Sequence, residues 1–464
     1  MNIVAEIRKQ GHGARVAIAG ESGEITFEAL FGAVDEISAR LRALECFQRG
    51  GVPRVGVIFP NGAGYMVVAL AVLEAGGCFV PVPEELTAAE REALVLETGL
   101  EVLVVDGEEG FELPLGLGGA CISEREVGEV KFPVEDFEKL NPAFIRFSSG
   151  TTGASKGVVL SHESLLERIT AANGGLGLSA GDKVLWTLPM AHHFAVTIVL
   201  YLYHGVTTVL ETSNRPDLLF QAARESGTHL LYGSPFHFAQ LAQCKEAESL
   251  PDLRMAISTA SALSGEVAKA FRERFELPLT QALGIIEVGL PILNRGRAED
   301  LPEALGQPLP GYEVKVAEDG ELLLKGPGMF DAYLVPWQRR SEILQDGWFG
   351  TGDLAELLED GTVVMRGRKK SVINVGGMKV FPEEIEAVLN AHPAVARSRV
   401  FPERHPTLGS FPCAEVILEE GAEMPPMREI RSHCMEKLAS YKIPLMFAEV
   451  GSIELTASGK VKRH

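Results

Sequence analysis

The stretch Phe144–Leu160, FIRFSSGTTGASKGVVL, runs from one apolar segment to another through a tight cluster of hydroxyls and glycines. The cluster is Ser148, Ser149, Gly150, Thr151, Thr152 and Gly153, and Lys156 and Gly157 follow it. Glycines let a backbone turn so that its N–H groups face one point. Hydroxyls add donors, and a lysine adds positive charge, which together make chemistry for a polyphosphate. The stretch is not a Walker A loop, because no Ser or Thr follows Lys156. A Ser/Thr/Gly cluster is ordinarily only a polar turn. Two Ser, two Thr and a Lys between two apolar strands favour phosphate binding.

Outward from this loop, apolar runs alternate with helical patterns. Arg54–Phe59 reads as a buried strand closed by Pro60-Asn61-Gly62. Tyr65–Glu74 reads as a helix ended by Gly76-Gly77, Cys78–Val82 as the next strand, Thr87–Glu97 as a helix and Glu101–Val105 as a strand. Strand–helix–strand alternation predicts an α/β sheet with parallel strands. The rhythm returns over Lys183–Val209 and His229–Ser258. Between Glu313 and Val364 short alternating runs are punctuated by Asp319-Gly320, Asp346-Gly347 and Asp360-Gly361, which are hairpin signals. The basic run Arg366–Lys370 reads as a linker, and a unit with a helix at Pro382–Asn390 follows it.

The 464 residues suit two to four structural units, and 46% hydrophobic with 23% charged residues suits a globular core. The net charge of −20 argues against nucleic acid as a partner of the whole surface. It is uneven: from Gly367 onward 14 Lys and Arg meet 12 Asp and Glu, net +2, leaving 29 against 51, net −22, in the remainder. The six cysteines show no metal-ligand spacing and read as reduced, buried thiols of a cytoplasmic protein. The start, MNIVAEIRKQ, lacks the apolar region of a secretory signal, and no apolar run reaches the roughly 20 residues of a membrane span.

The loop resembles the signature of the adenylate-forming (AMP-binding) superfamily, which embraces acyl-CoA synthetases, peptide-synthetase adenylation domains and beetle luciferases. From about Ile25 onward the chain continues in that family's order: LPMAHHF, SPFHFAQL, AISTASAL, QALGIIE, GQPLPG, WFGTGDL, GRKKSVINVGGMKVFPEEIE and TASGK. The motif style is nearest to ligases of fatty or aryl acids. The resemblance implies an α/β fold with a large N-terminal domain, residues 1–366, of two doubly wound sheets plus a β-barrel-like unit. A small, mobile α+β C-terminal domain, residues 367–464, follows. It implies that ATP activates a carboxylic acid to an acyl-adenylate, which is then passed to the thiol of CoA or to the phosphopantetheine of a carrier protein.

Residue by residue, Glu287 matches the acid that holds Mg2+, and a metal there would neutralise the leaving pyrophosphate. Asp353 matches the carboxylate that accepts the ribose hydroxyls, and Arg368 a second ribose contact. Ala260, Ser261 and Ala262 match the small residues against adenine, and Leu283 and Gly284 stand at the nucleotide-binding positions of the neighbouring motif. His192 falls where the family places an aromatic or His at the acyl pocket. Lys460 matches the lysine of the adenylation half-reaction, an ammonium that offsets the charge gathered as two anions meet. A lysine near a chain end is ordinarily a solvated tail, and the ordered TASGK match overturns that reading. Arg368–Ser371 matches the hinge, with Ser371 where Asp is common. Gly376 and Gly377 match the loop lining the thiol channel, where absent side chains leave room for a pantetheine arm.

The chain departs from the pattern at Leu283 and Ile286, where the family carries an adenine-stacking Tyr and an α-phosphate-binding Thr. Ser155 and Glu454 each replace a common Pro. Two other readings compete with a CoA ligase: a stand-alone ligase loading a carrier protein, and a degenerate nucleotide-binding member. Survival of Glu287, Asp353, Arg368 and Lys460 disfavours the latter. LPMAHHFAV offers no Asp for a substrate amine, which disfavours amino acids. The apolar and aromatic pocket-side segments suit a hydrocarbon or aryl acid.

Overall fold

The computed structural model describes the chain except residues 21–22, 148–155, 245–247, 376–377, 406–408, 456–460 and 462–464. It forms two compact units. The larger gathers the described residues up to Glu313 together with Lys325–Phe349, and the smaller gathers Val314–Leu324 with the described residues from Gly350 onward.

The larger unit holds a nine-stranded and an eight-stranded sheet. In the first, the strands Leu279–Ile285, Met255–Ser258, Leu230–Gly233, Lys183–Trp186, Thr207–Leu210 and Val16–Gly20 run parallel side by side. In the second, Pro142–Phe147, Cys78–Pro81, Arg54–Ile58 and Val102–Glu112 are parallel neighbours. Parallel strands buried on both faces read as continuous apolar runs rather than alternating ones, as RVGVI and CFVP do. The helix Ala63–Ala75 is buried from Tyr65 through Leu73 and ends on Gly76 in the left-handed conformation. An all-round apolar helix of this kind is a core element. Tyr65 meets Phe79 at 6.0 Å and Phe194 at 5.8 Å between ring centroids.

The phosphate-loop stretch forms a hairpin. Pro142–Phe147 and Gly157–Ser161 pair antiparallel, with Phe147 opposite Gly157. The short strand Ala332–Tyr333 adds to its outer edge, Tyr333 opposite Val158. The helix His162–Leu176 follows directly and grips the turn before that strand. Glu167 Oε2 accepts from Gly328 N at 3.0 Å, and Asp331 Oδ2 accepts from Ser161 N at 2.7 Å and Ser164 Oγ at 2.8 Å. Arg168, 1% exposed, donates from Nε to Gly328 O at 2.9 Å and from Nη1 to Ile286 O at 3.0 Å. Gly328 has φ of 63°, and a Cβ there would stand 2.4 Å from the Arg168 nitrogen, so the close approach requires glycine.

In the smaller unit, Phe349–Leu357 and Val363–Arg368 form an antiparallel hairpin inside a four-stranded sheet with Glu313–Val316 and Glu321–Lys325. The three Asp-Gly signals are turns whose glycines Gly320, Gly347 and Gly361 all have positive φ. A second sheet is built around the long antiparallel pair Val395–His405 and Gly409–Leu418, against which the helix Pro382–Asn390 buries Ile385 and Leu389. None of the six cysteines forms a disulfide among the described residues. Five are buried as read from sequence, whereas Cys121 on an outer strand is half-exposed. Among the described residues no helix is long and apolar enough to cross a membrane.

Replacing Arg168 by Met keeps the volume but leaves the Gly328 and Ile286 carbonyls without their donor. Each stranded buried acceptor costs about 1–3 kcal/mol. The expected result is a urea midpoint lowered at unchanged slope, read by the unfolding transition of the full chain.

Candidate active site

In open α/β sheets, ligands gather beyond the carboxyl ends of the strands. Both sets of residues picked out in the larger unit lie at such ends. Pro142–Phe147 runs into the Ser148–Gly153 loop, which lies outside the described residues. Met255–Ser258 runs into Ala260-Ser261-Ala262, the turn before the helix Gly265–Phe275. Ala260 holds φ of 72°, uncommon without glycine, and Ser261 and Ala262 are exposed. Thr259 Oγ1 donates to Ala282 O at 3.4 Å, which ties this turn to the strand carrying Leu283 and Gly284.

Lys156 and Glu287 meet through a residue that the sequence reading missed. The Lys156 ammonium lies 4.4 Å from the centroid of the Tyr333 ring, and the Tyr333 hydroxyl donates to Glu287 Oε1 at 3.2 Å. Burial first, then the Glu287 charge and the hydrogen bond to it, push the Tyr333 phenol well above its ordinary value, so it stays a donor at neutral pH. The Glu287 backbone is fixed as well, since its carbonyl accepts from Phe330 N at 2.8 Å.

Two further residues escaped the sequence reading. Arg146, visible as the lone charge in the apolar FIRF run, donates from Nη1 to the His192 carbonyl at 2.5 Å. Its Nε is closed off from solvent and has no hydrogen-bond partner among the described residues. Burial pushes this guanidinium down to about 10, opposed by the Glu287 carboxylate. Glu85 accepts or shares a hydrogen bond with His192 Nε2 at 3.1 Å, and that bond holds the Glu85 carboxyl below its usual range. His192 is thus fixed at both its ring and its carbonyl. The departures also have a place: Leu283 is half-buried opposite Ile292, and Ile286 is buried with its carbonyl on Arg168.

In the smaller unit, Asp353 and Arg368 are cross-strand partners, and Asp353 Oδ1 lies 2.6 Å from Arg368 Nε. The carboxylate is 3% exposed and the guanidinium 42%, so the pair presents its cationic side outward. Lys369, beside them, pairs with Asp319 at 2.6 Å and Glu321 at 2.8 Å. Ser371 sits in the short 3-10 turn Lys369–Ser371. Gly376, Gly377 and Lys460 lie outside the described residues. Two basic residues of this unit are held by carboxylates, Arg399 by Glu415 at 2.6 Å and Lys442 by Glu384 at 2.6 Å.

The profile of the AMP-binding enzyme family matches residues 5–334, and that of the AMP-binding enzyme C-terminal domain matches residues 384–460. A 2-succinylbenzoate–CoA ligase of Listeria monocytogenes is 28% identical, over 97% of this chain and 95% of its own length. The ATP-bound crystal structure of MatB from Rhodopseudomonas palustris superposes with a TM-score of 0.84 at 22% identity, covering 100% of this chain and 97% of that one. The o-succinylbenzoate CoA synthetase of Bacillus subtilis, in complex with its acyl-adenylate intermediate, gives 0.82 at 23% identity with the same coverage. Matched by the family profile over most of its length and sharing the fold of these structures from end to end, the chain belongs to the AMP-binding enzyme family.

Proposed function

We propose that the protein is an ATP-dependent acid–CoA ligase. A carboxylate attacks the α-phosphate of ATP, forming acyl-adenylate and releasing pyrophosphate. The CoA thiol then takes the acyl group, releasing AMP and a proton. The observation that carries this reading is the Lys156–Tyr333–Glu287 cluster, a cation and a carboxylate held together by one tyrosine, with Lys156 following the Ser/Thr/Gly stretch in sequence.

Each residue has a physical task. Lys156 offsets phosphate charge. Glu287 would hold Mg2+, which supplies neutralisation of the leaving pyrophosphate. The donor set fits that ion: Mg2+ keeps several waters and leans on one or two carboxylates plus substrate phosphates. The described residues contain no cluster of three or more metal-binding side chains, and Glu287 has one carboxylate oxygen engaged by Tyr333. Asp353 accepts ribose hydroxyls with Arg368 beside it, and Ala260, Ser261, Ala262, Leu283 and Gly284 border the base. His192, fixed by Glu85 and Arg146, orients the acid. Lys460 serves adenylation, while Ser371, Gly376 and Gly377 serve the thiol step, with residues 367–464 as the moving part.

An aryl acid is the substrate class we favour. Trp186 and Tyr232 stack at 5.5 Å with an interplanar angle of 18°, and His193 meets Trp186 at 5.6 Å, an aromatic set next to the His192 segment. The Listeria relative is named for an aryl acid, and CoA is its named acceptor. The internal pairing of Arg399 and Lys442 shrinks the basic face that an acidic carrier protein would need, which supports free CoA.

A pyrophosphate-release assay over aryl and fatty acids, each with CoA and with carrier protein, tests the whole reading. Release with aryl acids, and thioester on CoA alone, is expected; thioester on the carrier alone would replace CoA by that partner. Lys460→Ala is expected to abolish acyl-adenylate formation while leaving conversion of supplied acyl-AMP to thioester, measured as separate half-reactions. Glu287→Gln is expected to lower the adenylation rate and raise the Mg2+ concentration needed for half-maximal rate; an unchanged metal titration would remove Glu287 from this role.

A further inference from the structure

The residue that joins the phosphate-side lysine to the acidic residue is Tyr333, and neither the family motifs quoted above nor the chemistry they imply assigns it a task. We infer that Tyr333 is a positioning residue for nucleotide and metal binding, with its hydroxyl setting Glu287 and its ring setting Lys156. The inference rests on the adenylate-forming reading and deepens it.

The geometry separates the two tasks within one side chain. The hydroxyl donates to Glu287 Oε1 at 3.2 Å, fixing one carboxylate oxygen and with it the direction of the other. The ring lies under the Lys156 ammonium at 4.4 Å, a cation–π contact that limits where a long, flexible side chain can place its charge. Tyr333 is itself immobilised. It is 6% exposed, its backbone pairs with Val158, and Leu334 N donates to Gly157 O at 2.7 Å. Phe330 packs against the ring at 4.8 Å. Because Tyr333 stands opposite Val158, two residues from Lys156, it lies on the same sheet face as the lysine and diagonal to it. A buried phenol at this place could serve packing alone, but packing needs no hydroxyl aimed at a carboxylate.

The test uses Tyr333→Phe and Tyr333→Leu in the full-length protein, with Mn2+ binding followed by electron paramagnetic resonance and binding of a non-hydrolysable ATP analogue by calorimetry. Tyr333→Phe keeps the ring and loses the hydroxyl. It is expected to weaken Mn2+ binding in the presence of the analogue by about three- to tenfold, the scale of one ordinary hydrogen bond lost, while metal-free analogue binding holds. Tyr333→Leu is expected to weaken both. In a Glu287→Gln background, Tyr333→Phe should add nothing to the loss of Mn2+ binding, since the hydroxyl acts through that carboxylate. Equal Mn2+ affinity in Tyr333→Phe and the wild type, or an additive loss in the double variant, overturns the inference while leaving the ligase reading intact. A wild-type protein that binds no ATP analogue overturns both. Circular dichroism melts confirm that each variant is folded, and Tyr333→Phe, which retains the packing surface, is the decisive one.

Discussion

The buried guanidinium of Arg168 is the constraint on which the larger unit's site depends. Taking an arginine out of water costs several kcal/mol unless its donors are matched. Here the matches are backbone carbonyls of two separate turns, Gly328 and Ile286, rather than a carboxylate. Burial lowers the guanidinium to about 10, so it stays charged at neutral pH. The Ile286 turn leads directly to Glu287, and the Gly328 turn leads to Phe330, whose N–H holds the Glu287 carbonyl, and on to Tyr333, whose hydroxyl holds the Glu287 side chain. A single cation from the helix after the phosphate hairpin thus fixes the relative placement of segments that carry the chemistry. Glu167 and the Ser161–Ser164 cap secure the same turn from neighbouring positions on that helix, so the arrangement is over-determined.

Much of this was legible in the sequence wherever one local pattern suffices. The helix Pro382–Asn390 ends where its pattern ends, and the three Asp-Gly pairs turn as their conformational preference requires. Asp353 and Arg368, fifteen positions apart, fall opposite each other because the Asp360-Gly361 turn sets the register of their hairpin. The strand read as Glu101–Val105 extends instead over Val102–Glu112. Its polar continuation pairs with the next strand past an irregularity between Asp106 and Phe111, and backbone ladder bonds need no apolar side chains. What could not be read were contacts between distant segments. Arg168 reaches Gly328 across 160 positions, and Tyr333 reaches Glu287 across 46. A lone arginine or tyrosine in an amphipathic or apolar run carries no local mark of its eventual partner.

The electrostatics of the site show the same division. Glu287 stands near two buried cations, Arg146 and Arg168, each of which it helps keep protonated against the effect of burial. Among the described residues Glu287 makes no bidentate arginine pair, and only its Oε1 is engaged, by the Tyr333 hydroxyl, which leaves the other oxygen for a cation brought by a ligand. In the smaller unit Asp353 is instead paired directly, and a ligand there must share or displace Arg368 to reach the carboxylate.

The larger unit is discontinuous along the chain, because it borrows Lys325–Phe349 from beyond the segment that joins the smaller unit. Ala332–Tyr333 from that late segment covers the outer edge of Gly157–Ser161. During synthesis the edge stays bare until some 170 further residues have left the ribosome, a span read from the Ser161–Asp331 separation. An uncovered strand edge is a template for pairing with other chains. Completion of the nucleotide-side chemistry and protection of the nascent chain from aggregation are therefore one event, closure by a two-residue strand.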